Sequence, residues 1–329
     1  MNKIPTINHV LFCGLGSIGQ RHLKIFRTLG VNRIDAYKSG NATLKIEPGN
    51  QPDYTFQSLE KALSQKPQAV IITNPTSHHL KTALASLQSN AHILIEKPIS
   101  NTLNGLNELI KLAKKNNLVI AIGCNFRFHP FIQSLKKIID DKILGKPLLS
   151  RAHFGAWLPG WHPWEDYKIS YAARKELGGG AVLTHIHEID YLIWLFGQAK
   201  KNVGLSLDFS VLDTTVDEIS TGIIKHDSGI LSTVSLSLCQ KIQSRTLEVF
   251  FDDGIVTIDF IKEKMIYQKS GKKEQSIVLP DSFSFNDTYL SQNIAFMNAI
   301  ADGNYGNLCT VDQAIEDLTV ALSIHTNDI

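Results

Sequence analysis

A chain of 329 residues is longer than one hydrophobic core usually spans, so two domains are expected. With 43% hydrophobic and 19% charged residues and a net charge of +2, it reads as an ordinary globular protein with no electrostatic basis for nucleic-acid or membrane binding, which leaves small polar metabolites as partners. Its apolar segments fall far short of the ~18 residues of a membrane span.

The opening Met1-Asn2-Lys3-Ile4-Pro5 has no apolar signal core, and Cys13, Cys124, Cys239 and Cys309 share no C-x-x-C spacing. Reduced core thiols, no metal site and a cytoplasmic location are the expectations. The first predicted elements are a buried strand at Val10 to Cys13 and a helix carrying Ile18, Leu23, Phe26 and Leu29 at helical spacing. Between them lies Gly14-Leu15-Gly16-Ser17-Ile18-Gly19, a G-x-G-x-x-G at a strand-to-helix turn. Gly14 suits the tight turn, Gly16 the approach of a pyrophosphate, and Gly19 close helix packing, with the helix N-terminus towards the anion.

Strand and helix signals then alternate, as in a parallel sheet with crossover helices. The strands are Arg33 to Tyr37, Ala69 to Thr73, His92 to Ile95 and Leu118 to Ile122, with helices from about His78 to Leu87 and from Leu103 to Lys115. Ligands of such sheets bind beyond the carboxyl ends of the strands. That rule selects Lys38 and Ser39, Thr73, Asn74, Pro75 and His78, Glu96 and Lys97, and Asn125. An NAD site usually has an acidic residue about 20 positions past the glycines. Lys38 and Ser39 occupy that place and suit a 2′-phosphate, so NADP(H) is favoured; Asp35 is the competing reading, with NAD(H).

Past Phe126 come short alternating strands at 148–154, 203–209, 218–225, 230–238, 246–251, 255–260 and 265–268. They are punctuated by Asp227-Ser228-Gly229, Asp253-Gly254 and Ser270-Gly271. This predicts a mainly antiparallel sheet with one open face, interrupted by helices at 131–140 and about 185–196. Near the C-terminus Leu290, Ile294, Met297 and Ile300 share a helical face, and Thr310-x-x-Gln313 forms a capping box before Ile315, Leu318 and Leu322. The expected division is 1–124, a dinucleotide-binding Rossmann domain, and 125–329, an α/β domain for substrate binding and oligomerisation, with helices at about 288–324 free to return to the first.

Four motifs in this order resemble the Gfo/Idh/MocA oxidoreductases: Gly14 to Gly19, Glu96-Lys97-Pro98, Gly123-Cys-Asn-Phe-Arg-Phe-His-Pro130, and Gly178-Gly-Gly180 followed by His187-Glu-Ile-Asp190. The likeness covers nearly the whole chain. It implies an N-terminal Rossmann sheet, a C-terminal α/β domain with a large open sheet used for oligomer contacts, and hydride transfer between NAD(P) and a carbon of a sugar, sugar phosphate or nucleotide sugar. It also resembles a subgroup found with bacterial surface-sugar biosynthesis. A homodimer or homotetramer is expected.

Alcohol oxidation needs a group that removes the hydroxyl proton. The resemblance assigns this to Lys97, where desolvation and a cationic ring would lower the amine's pKa; Pro98 is a candidate cis proline that would aim it. His187, the family's catalytic histidine by position, and Asp190 lie three apart on a predicted helix, an acid/base pair. Where the family commonly has an aspartate before that histidine, this chain has Leu183 and Thr184, with Thr184 and His185 as supporting groups. Trp161, His162, Trp164, Tyr171 and Arg174 form an aromatic and polar stretch, with Glu165 and Asp166 among them, suited to stacking on sugar rings and bonding hydroxyls. Arg127, with His129 nearby, is a further candidate for holding substrate oxygen, or equally for a hinge-region ion pair. A dinucleotide-binding regulator and a reductase of a non-sugar ring or imine are the alternatives.

Overall fold

The structure, a computed structural model, describes residues 7–39, 46, 48–161 and 165–326. The chain begins β1 (His9–Cys13), α1 (Ser17–Thr28), β2 (Arg33–Tyr37), β3 (Tyr54–Phe56), α2 (Leu59–Leu63), β4 (Ala69–Ile72), α3 (His79–Gln88), β5 (His92–Glu96), α4 (Leu106–Asn116) and β6 (Ile120–Gly123). It continues with α5 (Pro130–Asp140), β7 (Pro147–Trp157), α6 (Ala181–Thr184), α7 (His187–Phe196), β8 (Ala199–Leu207), β9 (Ile219–His226) and β10 (Leu231–Ser237). Last come β11 (Cys239–Phe251), β12 (Gly254–Asp259), β13 (Lys264–Lys269), β14 (Gln275–Ile277), α8 (Asn286–Asp302) and α9 (Val311–Thr326). Two compact units result: Met1–Asn125 with Phe285–Ile315, and Phe126–Ser284 with Glu316–Ile329. No helix among the described residues is long and apolar enough to cross a membrane.

In the first unit a parallel sheet has the order β3-β2-β1-β4-β5-β6. Helices cover strands of this kind on both faces, so β4 and β6 are buried at every position and β1 at all but His9. Leu23 and Phe26 of α1 have no exposed surface, and Phe26 meets the ring of Phe12 edge-on at 6.0 Å. Each such side chain contributes roughly 1.5–3 kcal/mol by burial. Strand order reverses between β1 and β4, which puts the residues after these two strands at the crevice where ligands of this fold bind.

The short edge strand β3 and helix α2 escaped the sequence pattern, because β3 is only half covered and Tyr54 is 60% exposed. Helix α4 starts at Leu106 rather than Leu103, after Gly105 in the left-handed region. On α8 the buried stripe is Thr288, Tyr289, Gln292, Asn293, Phe296, Met297 and Ala299, a correction to the predicted face. Of the predicted residues only Met297 lies in it. The reason is polar: the amide oxygen of Asn293 meets His22, and the Thr288 hydroxyl accepts from Asn125. The capping box is formed, with Thr310 N–H donating to Gln313 and Gln313 N–H to the Thr310 hydroxyl.

The second unit is built on a sheet of order β14-β13-β12-β11-β7-β10-β9-β8, antiparallel except where β7 meets β10. Strand β9 alternates as a one-sided sheet must, with Ser220, Gly222, Ile224 and His226 buried and Thr221, Ile223 and Lys225 exposed. Strands β7, β8 and β11 outrun their predicted lengths, and β11 absorbs an irregularity between Cys239 and Ser244. The helix predicted near 185–196 is α7, and the short α6 precedes it, separated by His185 and Ile186.

His129 caps α5, its Nδ1 accepting the Phe131 N–H at 3.2 Å, while its ring stacks on Phe126 at 5.9 Å. That acceptor role requires an unprotonated Nδ1. Burial, then the charge of Arg245, lower the His129 pKa from 6.5 to about 4. The unfolded chain therefore binds the proton more tightly. The neutral ring's contribution is full above about pH 6.5 and is lost as pH falls towards 4, up to about 3 kcal/mol. Urea unfolding at pH 7 and pH 5 should show wild type losing stability more steeply than His129→Gln; equal losses would refute the assignment.

Candidate active site

The turn after β1 is set by three glycines with different environments. Gly14 has φ +104°, and a Cβ there would lie 2.7 Å from the Asn74 nitrogen. A Cβ on Gly19 would lie 2.3 Å from the Gly14 carbonyl oxygen and 2.8 Å from the Thr73 hydroxyl, which itself donates to that carbonyl at 2.7 Å. A Cβ on Gly16 would meet nothing within 4 Å. Gly16 and Ser17 are exposed, Ile18 is half-buried and Leu15 is buried. Helix α1 starts at Gly16 with no side-chain cap and no acidic residue in its first turn, so its terminal N–H groups and dipole are available to an anion. These residues fit a dinucleotide pyrophosphate: a tight turn, a bare backbone at Gly16 and a helix N-terminus.

Asp35 and Lys38, the two residues of the ribose readings, lie within and just after β2 in different surroundings. Asp35 has no exposed surface and is held inside by Nε2 of His9 at 3.0 Å and Nη2 of Arg33 at 2.7 Å. Lys38 follows the strand, its N–H donating to the Phe56 carbonyl, and Ser39 beside it is exposed.

After β4, Asn74 donates to the Thr82 hydroxyl and Pro75 opens a short turn, Thr76–His78. The sequence drew attention to His78, which is exposed; the buried histidine is His79. Its Nε2 lies 2.8 Å from the Asn74 carbonyl and its Nδ1 2.8 Å from the Pro98 carbonyl. Both acceptors favour a doubly protonated ring, but burial outweighs them and lowers the His79 pKa. Helical spacing marked this position, since His79, Ala83 and Leu87 share the buried face of α3.

Lys97 follows β5 half-buried, and the Lys97–Pro98 peptide is cis. Glu96, expected to meet cofactor, gives Oε1 to Nε2 of His22 at 2.8 Å. A Cβ on Gly123 of β6 would lie 2.7 Å from the same carboxylate, so glycine there makes room for it. Asn125 is 1% exposed and donates to the Thr288 hydroxyl at 2.8 Å, tying the end of this segment to α8.

In the second unit crowding requires glycine at 179 and 180. A Cβ on Gly179 would lie 2.4 Å from the Tyr171 carbonyl, and one on Gly180, at φ +107°, 1.9 Å from Oδ1 of Asp217. Asp217 accepts from the Val182 N–H and the Ser220 hydroxyl, and burial raises its pKa. Helix α6 is thereby anchored, with Thr184 buried on it and His187 starting α7.

The His187 ring lies 5.2 Å from Phe126, whose face carries the Arg245 guanidinium at 3.6 Å. The same guanidinium lies 4.4 Å from the Phe154 ring, which is 4.3 Å from His185, itself 5.5 Å from Trp161. A continuous run of rings and one cation thus joins His187, His185 and Trp161. Arg245 also donates to Glu188 at 2.6 Å. Arg245 and Glu188 were missed: Arg245 lies just outside the strand read at 246–251, Glu188 is on α7, and their pairing across 57 residues has no local mark in the sequence.

Asp190 is not bonded to His187. Its Oδ1 accepts from Nε and Nη2 of Arg127 at 2.9 and 2.6 Å, and neither residue has exposed surface. Of the two readings of Arg127, a substrate contact and an ion pair, the described contacts include the ion pair, since an enclosed guanidinium requires a counter-ion. Tyr171 is half-buried, and Arg174 is exposed with its guanidinium given to Glu176 at 2.7 Å. His162 and Trp164 lie outside the described residues.

A glycine turn built for a dinucleotide and a lysine just past another strand of the same parallel sheet define an oxidoreductase of the NAD-binding class. Residues 8–124 match the oxidoreductase family with NAD-binding Rossmann fold, and residues 132–257 the GFO/IDH/MocA C-terminal domain. The chain belongs to the Gfo/Idh/MocA family. It is 24% identical over 302 residues to UDP-N-acetylglucosamine 3-dehydrogenase of Acidithiobacillus ferrooxidans, covering 88% of this chain and 87% of that one. It is 29% identical over 301 residues to inositol 2-dehydrogenase/D-chiro-inositol 3-dehydrogenase of Halalkalibacterium halodurans, covering 87% and 81%. In fold it is similar to levoglucosan dehydrogenase in complex with NADH, with TM-score 0.83 at 16% identity over 96% of this chain and 95% of that one.

Proposed function

We propose that the protein is an NAD(P)-dependent dehydrogenase or reductase acting at a carbinol or keto carbon of a sugar, sugar phosphate or nucleotide sugar, in the cytoplasm. The observation that carries this reading is the open backbone at Gly16 after β1, in a parallel sheet whose strand β5 is followed by Lys97. The named activities of the relatives, on UDP-N-acetylglucosamine and on inositols, support a polyhydroxylated substrate, and the first supports a nucleotide sugar of the kind used in surface-sugar biosynthesis. When bound at the turn, a nicotinamide dinucleotide would supply the hydride acceptor or donor. The Lys97 Nζ takes or returns the hydroxyl proton, and His187 provides a second acid/base group. Trp161 offers a ring face to sugar C–H groups. A panel of free sugars, cyclitols, sugar phosphates and nucleotide sugars, followed by nicotinamide absorbance with both cofactors, tests the reading. Tight dinucleotide binding without turnover of any of them would favour a regulator.

NADP(H) is the proposed preference, because Lys38 stands at the end of β2 while Asp35 is occupied inside. Lys38→Asp is expected to move the ratio of kcat/KM towards NAD(H) by about tenfold or more, the worth of one charge-assisted contact. A wild-type enzyme that favours NAD(H) tenfold would overturn this assignment.

The second unit's open sheet carries exposed Val203, Ile223 and Leu231 on adjacent strands, a face suited to pairing with a second copy. Light scattering should give the mass of a dimer or tetramer, and Ile223→Lys should reduce it; a monomeric wild type would refute the pairing.

A further inference from the structure

Lys97 stands between two residues that buried histidines hold. Before it, the Glu96 carboxylate is bonded at 2.8 Å to Nε2 of His22, a side chain with no exposed surface whose Nδ1 lies 3.1 Å from the Asn293 amide oxygen. After it, the Pro98 carbonyl lies 2.8 Å from Nδ1 of His79, 1% exposed; the neutral ring has one N–H, and the tautomer that carries it on Nδ1 donates to Pro98, with Nε2 2.8 Å from the Asn74 carbonyl. The two rings come from different helices, α1 and α3, and hold the loop at adjoining points on either side of one lysine. A side chain needed only for volume would be apolar, since burying an imidazole is unfavourable unless its nitrogens are bonded.

We propose that His22 and His79 are positioning residues for Lys97, resting on the reading of Lys97 as the proton-transfer group. His22 acts through Glu96 and His79 through the Pro98 carbonyl. Neither touches substrate. A lysine has four rotatable bonds, so where its amine lies depends first on where residues 96 to 98 hold its backbone. Displacement of a reacting group by about 1 Å can lower turnover by about 100-fold.

The two histidines use different nitrogens, and this gives a crossed test. Glutamine places a donor near the Nε2 position and asparagine near Nδ1. At position 22, His22→Gln should retain the bond to Glu96 and His22→Asn lose it. At position 79, His79→Asn should retain the bond to Pro98 and His79→Gln lose it. We expect kcat to fall about 10- to 100-fold in His22→Asn and His79→Gln and to stay within about threefold in the other two. A readout that needs neither substrate nor cofactor is competitive acetylation of Lys97 by acetic anhydride across pH, followed by peptide mass spectrometry. The labelling rate of Lys97 relative to the exposed lysines should change in the two impaired variants and match wild type in the two retained ones. NADPH fluorescence titration and thermal melting of all four separate this from lost binding or folding. Uniform kcat and labelling across the folded variants, or losses that follow melting temperature instead of the crossed order, would overturn the proposal. Normal turnover in Lys97→Ala would remove the functional reading instead, while the labelling pattern would still report whether the histidines place the lysine.

Discussion

Lys97→Ala and His187→Ala are each expected to lower kcat by about 10²–10⁴-fold, the loss that follows removal of a proton-transfer group. Dinucleotide affinity should stay near wild type, because the glycine turn and the end of β2 are untouched. Lys97 is half-buried and its main chain is held on both sides, so its truncation removes an amine without opening a core cavity. His187 sits 8% exposed against Phe126, so alanine there also loosens a ring contact, and His187→Asn is the gentler control. Steady-state rates on the best substrate of the panel, with kcat and KM separated, measure the effect. Near-normal turnover in both alanine variants would overturn the acid/base assignment.

The second large effect distinguishes two glycines of one motif. Gly16→Val meets no protein atom within 4 Å of its Cβ, so the fold should survive and only the approach of phosphate is blocked. The dissociation constant should rise by about 100-fold or more, equivalent to losing a few kcal/mol of phosphate contacts. Gly19→Val instead drives its Cβ against the Gly14 carbonyl and the Thr73 hydroxyl, breaking the turn itself. Binding and thermal stability should then fall together. NADPH titration and melting of both variants check this, and unchanged affinity in Gly16→Val would refute the pyrophosphate site.

The parallel sheet was legible in the sequence because strands covered on both faces must be apolar throughout, as Ala69–Ile72 is. The glycine turn was legible because the backbone excludes a side chain at Gly14 and Gly19. What escaped was set by distant partners. Nothing near Thr288, Gln292 and Asn293 marks a polar face as the buried one until His22 and Asn125 are known to lie against it. The same holds for Asp190, whose spacing from His187 suggested a pair, while the enclosed Arg127 claims its carboxylate. His79 was nearly found, since helical spacing points to it, but its neighbour His78 drew the reading.

The nucleotide-binding unit is not a continuous stretch of the gene: α8 lies at the far end of the chain yet belongs with Met1–Asn125. Asn293 on that helix completes the bonds of His22, and Thr288 those of Asn125. A fragment cut after β6 would therefore lose both polar partners along with the apolar cover from Phe296 and Met297. Exchange of cofactor specificity between relatives by grafting the N-terminal half alone would carry over the turn and the lysine without the helix that braces them. The transferable module is the discontinuous one, with residues 285–315 moved alongside it.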